Sequence, residues 1–447
     1  MARTKTTLEQ QSSPEVVPQT ILQLIGWVAR RLQNQDMIRQ LILKMEKQLT
    51  DTFVQRENEV RVMTLAYLVM QHYLFVGDPG TGKTALVKCY VSHLTGARYF
   101  KTLLGAFTPP DKIFGALDIK EFQAGKYKYV IEGMLPGVEF GFLDEYYKCG
   151  ESSANEMLTL LNEREFGSPA EPVPLMTVGT ATNWPELEAR TEITNALHDR
   201  TLLRCVVEEV HGKDAQVELL RNVDKVKHYT PEVTVSLDEL KIAIAAVSRV
   251  KIGDDVAEML IDVREGLLTR AGTNGQVLPG ISISSRRIGQ LQDVLRASAW
   301  LDGRQEVTVE DFGVLQWGLW NERGDVEVVK AHLQTLDQVY VNEVVAKIDE
   351  GLRVIKDFNN GQKGAIRLNA SVKTAASHAK AARVLADRPV FTREGKMKIQ
   401  RAMTDFKADY TTIRELAAKA QAQAEAQVEA QEQAEAQAHA DAEAAES

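Results

Sequence analysis

The segment GDPGTGKT, beginning at Gly77, places three glycines, a lysine and a hydroxyl within eight residues. The pattern GxxxxGK[ST] has chemical meaning only between a strand and a helix, and both are legible: the apolar run 73–76 precedes it and "ALVKCYV" follows. Glycines let the chain aim several N–H groups at phosphate oxygens, and the following helix adds its positive N-terminal end. Gly77, Asp78, Pro79, Gly80, Thr81, Gly82, Lys83, Thr84 and Ala85 therefore form a candidate phosphate cradle. In it Lys83 reaches the β- and γ-phosphates and the Thr84 hydroxyl binds Mg²⁺, so the implied ligands are ATP and Mg²⁺.

A second cluster fits the first. In "VEFGFLDEYYKCG" a strand buried on both faces emerges at two adjacent carboxylates, Asp144 and Glu145. A buried carboxylate is costly without a cation, and the phosphate site supplies one. Asp144 is expected to hold Mg²⁺, directly or through water, and Glu145 to orient and polarise the attacking water. "VGTATNWPE" ends another apolar strand at Asn183, a neutral group able to hold that water or a phosphate oxygen, although Trp184-Pro185 also suits a plain turn. "LHDRTLLRC" sets Arg200 just before a strand, and a planar cation suits the charge on a transferred phosphoryl group. Arg204 is the rival for that role, and a surface salt bridge is the ordinary reading of either.

These residues need a scaffold. Apolar runs at 73–76, 99–104, 140–143, 175–179 and 202–207 alternate with helical segments, which predicts an α/β domain with a mainly parallel sheet. Two Gly-punctuated segments, 119–133 and 164–178, read as short hairpin insertions. The domain division expected is 1–50, a disordered start and amphipathic helices; 51–210, the nucleotide-binding core; 211–322, a helical lid; 323–416, a helical bundle or coiled coil; and 417–447, an Ala/Gln/Glu-rich tail. The bundle rests on two apolar stripes, one from Val329 to Ile355 and one from Ile399 to Ile413.

Composition sets outer bounds. The chain has 447 residues, is 44% hydrophobic and 26% charged, and carries a net charge of −9, which gives no overall basic footprint for nucleic acid. Cys89, Cys149 and Cys205 form no CxxC pair and suit a reducing compartment. No apolar run is long enough to span a bilayer, so a cytoplasmic location is expected.

The order "GDPGTGKT", "FTPPDKIFGALDI", "EGMLPGVEFGFLDE", "LTLLNEREF", "VGTATNWPE", "LHDRTLLR" and "ISSRRIGQLQDVLRASAWLDGR" resembles MoxR-type AAA+ ATPases, and within them the RavA-like branch. The resemblance covers about residues 52–320. It implies an αβα core with a helical lid, a hexameric ring and a chaperone-like remodeller of a protein client, often with a partner carrying a von Willebrand factor A (VWA) domain. Carried onto this chain, Lys83 and Thr84 are Walker A, Asp144 and Glu145 Walker B, and Asn183 sensor 1. Arg200 is the arginine finger acting on the neighbouring subunit, and Arg286 is sensor 2, with Arg287 as its alternative. The two insertions become the helix-2 and pre-sensor-1 insertions. The extra N-terminal helices and the tail depart from the RavA-like pattern. The competing readings are a nucleic-acid motor, drawn from Lys126, Tyr127, Lys128 and Tyr129, and a nucleotide-gated scaffold.

Overall fold

The computed structural model describes residues 21–271 and 277–359, and beyond these chiefly 373–377 and 397–412. The start at 1–18, most of the tail from 417, Ile413 and the side chains of Tyr340 and Ile355 lie outside the described residues.

A long helix, α1 (Ile21–Thr52), opens the described chain, and α2 (Glu57–Leu68) follows after a short turn. Ile38, Ile42, Met45 and Leu49 recur at spacings of three and four and are buried, so one stripe of α1 faces the core. Helix α2 is buried almost all round and lies between α1 and the sheet. Strand β1 (His72–Val76) then leads into α3 (Lys83–Ser92), followed by β2 (Tyr99–Leu103), β3 (Phe140–Asp144), α4 (Glu151–Glu163), β4 (Thr177–Thr182), α5 (Glu192–His198) and β5 (Thr201–Val206). The five strands form one sheet in the order β2-β3-β4-β1-β5, and every pairing is parallel. The sheet register sets Val76 beside Thr182 and Leu143 beside Thr180, so the carboxyl ends of β1, β3 and β4 finish together. In open α/β sheets that edge is where ligands bind.

The fourth strand differs from its sequence expectation. The apolar reading placed it at 175–179, whereas it runs from Thr177 to Thr182 with every residue buried. Its threonines are tolerated because their hydroxyls find backbone acceptors: Thr180 Oγ1 donates to Tyr73 O at 2.9 Å. Gly179 is required there, since a Cβ would sit 2.3 Å from the Tyr73 ring.

Of the two expected hairpins, the second forms, from Glu165–Phe166 paired with Glu171–Pro172. The first does not: residues Ile119–Gln123 make a short helix, capped by the Asp118 carboxylate, and only a single bridge joins Leu117 to Tyr129. The Asx cap competes successfully with strand pairing.

The chain continues through α6 (Lys213–Lys227), α7 (Leu237–Val247), α8 (Asp254–Leu268) and α9 (Ser285–Leu301). A small antiparallel pair, Thr269–Ala271 with Val277–Pro279, interrupts what the sequence suggested was wholly helical. Helix α10 (Asp325–Asn359) carries the first apolar stripe, with Val329, Leu333, Val344 and Ile348 buried. Ile399 and Phe406 of the second stripe are also buried, and Lys398 Nζ donates to Asn342 Oδ1 at 3.0 Å, joining the two segments. Among the described residues no helix is long and apolar enough to cross a membrane.

Candidate active site

At the end of β1, Gly77 opens a loop that a larger residue could not enter, because a Cβ there would meet Val207 O at 2.2 Å. Gly80 and Gly82 have φ near +90° and +84°, the region glycine reaches without strain, and their Cβ positions open onto empty space. No side chain caps the N-terminus of α3, which starts at Lys83, so its first N–H groups are left to the cavity. Lys83 Nζ lies over the same loop, donating to Gly77 O at 2.7 Å and Asp78 O at 2.9 Å. Burial pulls its ammonium below the usual lysine range, against the attraction of Asp144, Glu145 and Asp78.

The Thr84 hydroxyl donates to Asp144 Oδ2 at 2.8 Å, which brings a hydroxyl and a carboxylate from α3 and β3 together. Such hard oxygen donors, beside a cradle where a bound nucleotide would add phosphate oxygens, fit Mg²⁺. Glu145 takes the left-handed conformation, φ 55° and ψ 47°, unusual for a non-glycine residue and of a kind that collects at functional sites. Its carboxylate lies 3.2 Å from Lys148 Nζ, which also contacts Glu186 Oε1 at 2.8 Å. Burial raises the Glu145 carboxyl above its ordinary range, the adjacent Glu186 adds to the rise, and Lys148 opposes it.

Asn183 caps the short helix Trp184–Glu188, its Oδ1 accepting from Glu186 N at 3.0 Å while its Nδ2 donates to Glu186 Oε1 at 3.1 Å. The turn role weighed for it is thus filled, and the same residue also lines the cavity. Gly77, Lys83, Thr84, Asp144, Glu145 and Asn183 all border one cavity of about 370 Å³.

The arginines lie elsewhere. Arg200 is half-buried after α5, where one Nη donates to Ala196 O at 3.4 Å and the Nε has no partner among the described residues. Arg204 is fully buried, its guanidinium committed to His198 O, Thr201 O, Trp320 O and Asn321 Oδ1. Arg286 is exposed and contacts Asn162 Oδ1. Arg287 is buried, donates to Asn321 Oδ1 at 2.7 Å and lies 3.6 Å from Asp199 Oδ1. None of the four borders the cavity lined by Lys83 and Asp144.

Sequence motifs did not reveal the neighbouring cavity of about 550 Å³, which shares Gly80, Thr81, Gly82 and Ala85 with the loop. Phe53, Val54 and the apolar face of α6, including Leu219 and Val223, close it. Its size and apolar walls suit a nucleotide base. The only available signal was the helical spacing of apolar residues on α6, which is common to any amphipathic helix. Arg56 braces the two cavities, donating to Thr81 O at 3.1 Å and Glu208 O at 2.8 Å.

Glu59, buried 3.7 Å from Arg56, is raised by burial to about 7. An acid raised in the folded state withdraws stability as pH climbs from about 4.5, where the unfolded carboxyl ionises, to about 7. Glu59→Gln should therefore gain on the natural chain by roughly 1–3 kcal/mol between pH 5 and pH 8. Paired melting curves check this, and a gap that does not change with pH contradicts it.

Comparison with known proteins agrees with the geometry. Residues 39–244 match the family described as the MoxR domain in MoxR-vWA-beta-propeller ternary systems, and residues 255–333 match the AAA lid domain. An uncharacterised protein of Methanocaldococcus jannaschii is 30% identical over 323 residues, covering 72% of this chain and 80% of its own length. The MoxR protein of Methylorubrum extorquens is 22% identical, covering 66% of this chain and 88% of its own. In fold, the chain is similar to a crystal structure of a candidate ATPase from Cytophaga hutchinsonii, with a TM-score of 0.54 and 14% identity over 70% of this chain and 98% of that one. With a five-stranded parallel sheet, a glycine loop at its carboxyl edge, a MoxR-domain match and a matched lid, the chain belongs to the MoxR family of AAA+ ATPases.

Proposed function

We propose that this protein hydrolyses ATP in a head-to-tail ring and uses the cycle to remodel or assemble a protein client. The observation that carries the reading is the convergence of Lys83, Thr84, Asp144, Glu145 and Asn183 on one cavity at the sheet's carboxyl edge. Loop N–H groups and Lys83 hold the phosphates, with Lys83 exchanging the Gly77 and Asp78 carbonyls for phosphate oxygens. Mg²⁺, held through Thr84 and Asp144, would neutralise phosphate charge. Glu145 orients the attacking water and draws on its proton, and Asn183 offers its remaining amide hydrogen to that water or to a phosphate oxygen.

Arg200 is read as the finger and Arg204 as structural, because every guanidinium nitrogen of Arg204 is already bonded within its own chain. Arg287 lies against Asp199, the residue before Arg200, so the start of α9 and the Arg200 loop share one face. Arg200 and Arg286 are therefore both assigned to the ATP of the neighbouring subunit. A head-to-tail contact whose rotation closes makes a ring, and a hexamer is the form proposed.

The match over 39–244 supports a VWA-domain partner of the ternary-system kind, in preference to the RavA-like branch. Helix α10 follows the lid and contacts α8, so it is a fitting lever to carry lid movement to that partner. A cytoplasmic site of action belongs to the same proposal.

Phosphate release by the purified chain tests the reading. Turnover with Mg-ATP that EDTA abolishes, and that DNA and RNA leave within twofold, is expected. Strong stimulation by a nucleic acid favours the motor built on Lys126 and Lys128, and nucleotide-dependent assembly without turnover favours a scaffold.

A further inference from the structure

Arg204 drew notice in the sequence as a possible finger, yet the structure gives it no exposed nitrogen. Its Nε donates to Thr201 O at 3.1 Å and one Nη to His198 O at 3.0 Å. Those two carbonyls bracket Asp199 and Arg200. The other Nη donates to Trp320 O and, at 3.0 Å, to Asn321 Oδ1.

The same Asn321 oxygen accepts from Arg287 Nη1 at 2.7 Å, and the Asn321 amide donates to Ser282 O at 3.1 Å, just before the turn into α9. One amide side chain thereby joins three segments: the loop carrying Arg200, the start of the helix carrying Arg286, and the approach to α10. Asn321 N and Glu322 N both donate to Asp325 Oδ2, at 3.0 and 3.1 Å, which fixes the amide to the first turn of α10.

The arrangement is costly. Two guanidiniums are buried together, with the Asp199 carboxylate of 68% side-chain exposure as their near countercharge. All three guanidinium nitrogens of Arg204 are bonded, while Arg287 holds to the cluster through Nη1 on the same Asn321 oxygen and a longer Asp199 contact, so that shared oxygen is geometrically demanding. Neither Arg204 nor Asn321 borders the phosphate cavity or its apolar neighbour.

We propose that Asn321, with Arg204 and Arg287, is a positioning clamp that holds Arg200 and Arg286 as one unit toward the neighbouring subunit's ATP. The inference rests on the ATPase reading above. It makes Asn321 a positioning residue for the reaction, acting through arginines that belong to a different active site from its own.

Asn321→Ala is expected to lower turnover about 10- to 100-fold, the scale set by misplacing a catalytic group by an ångström, while ATP affinity stays within twofold. Mixing it with Lys83→Ala should restore phosphate release, because composite sites then pair an intact phosphate loop with intact arginines. A merely structural defect gives no such rescue. Asn321→Asp keeps oxygen acceptors for both guanidiniums but loses the donor to Ser282 O, and should recover part of the loss. Should Asn321→Ala not fold, Asn321→Ser, which keeps a hydroxyl beside the arginines, carries the same expectation.

Arg200→Ala is assayed in parallel. If it is silent while Asn321→Ala turns over within twofold of the natural chain, the clamp is refuted and the ATPase reading stands. Loss of turnover in Asn321→Ala that mixing does not restore, despite co-assembly, also refutes it. If Arg200→Ala remains active, the clamp falls together with the assignment of Arg200.

Discussion

Lys83→Ala is expected to lose ATP affinity by about 10- to 150-fold, the worth of hydrogen bonds to a charged group, whereas Glu145→Gln keeps that affinity and loses turnover. The difference follows from position. Lys83 Nζ hangs over the glycine loop on the carbonyls of Gly77 and Asp78, where phosphate oxygens would replace them. Glu145 stands one residue beyond Asp144, facing the cavity from the sheet edge, with Lys148 and Glu186 as its side-chain neighbours. Removing a general base typically costs about 10²- to 10⁴-fold in rate without weakening ground-state binding. Titration with a fluorescent nucleotide and phosphate release under saturating ATP separate the two effects. Equal loss of affinity in both variants would contradict the division of roles.

The glycine loop between β1 and α3 was legible because its pattern is local. Glycine spacing, a lysine and a hydroxyl lie within eight residues, and the flanking strand and helix are written in the same stretch. Asp144 and Glu145 were singled out because the loop called for a cation nearby, and both border the same cavity as that loop. What escaped depends on long-range contacts. Glu186 is 41 positions from Glu145, and only the meeting of β3 and β4 ends brings it beside Glu145 and Lys148. Sequence reasoning could not separate Arg200 from Arg204, since both flank or occupy one apolar strand, and burial alone distinguishes them. The fourth strand was placed two residues early at its start and three at its end because its hydroxyls look polar until the carbonyls that accept from them are known. The failed hairpin at 119–133 shows the converse, with a local cap at Asp118 overriding a reading based on a Gly turn.

Arg200 is the position at which the proposed assembly becomes a chemical claim. It borders neither the cavity lined by Lys83 and Asp144 nor the apolar one, and its Nε has no partner among the described residues. An arginine finger is worth about 10³- to 10⁵-fold in rate, so Arg200→Ala should nearly silence turnover and leave nucleotide binding intact. At ATP concentrations near the natural chain's Kd, neither Arg200→Ala nor Lys83→Ala should hydrolyse ATP appreciably alone. The most direct test is phosphate release after the two inactive variants are mixed and shown to co-assemble. Recovered turnover, from sites pairing the phosphate loop of one variant with the arginine of the other, is the predicted result; silence in proven mixed assemblies would contradict a site shared between neighbouring subunits.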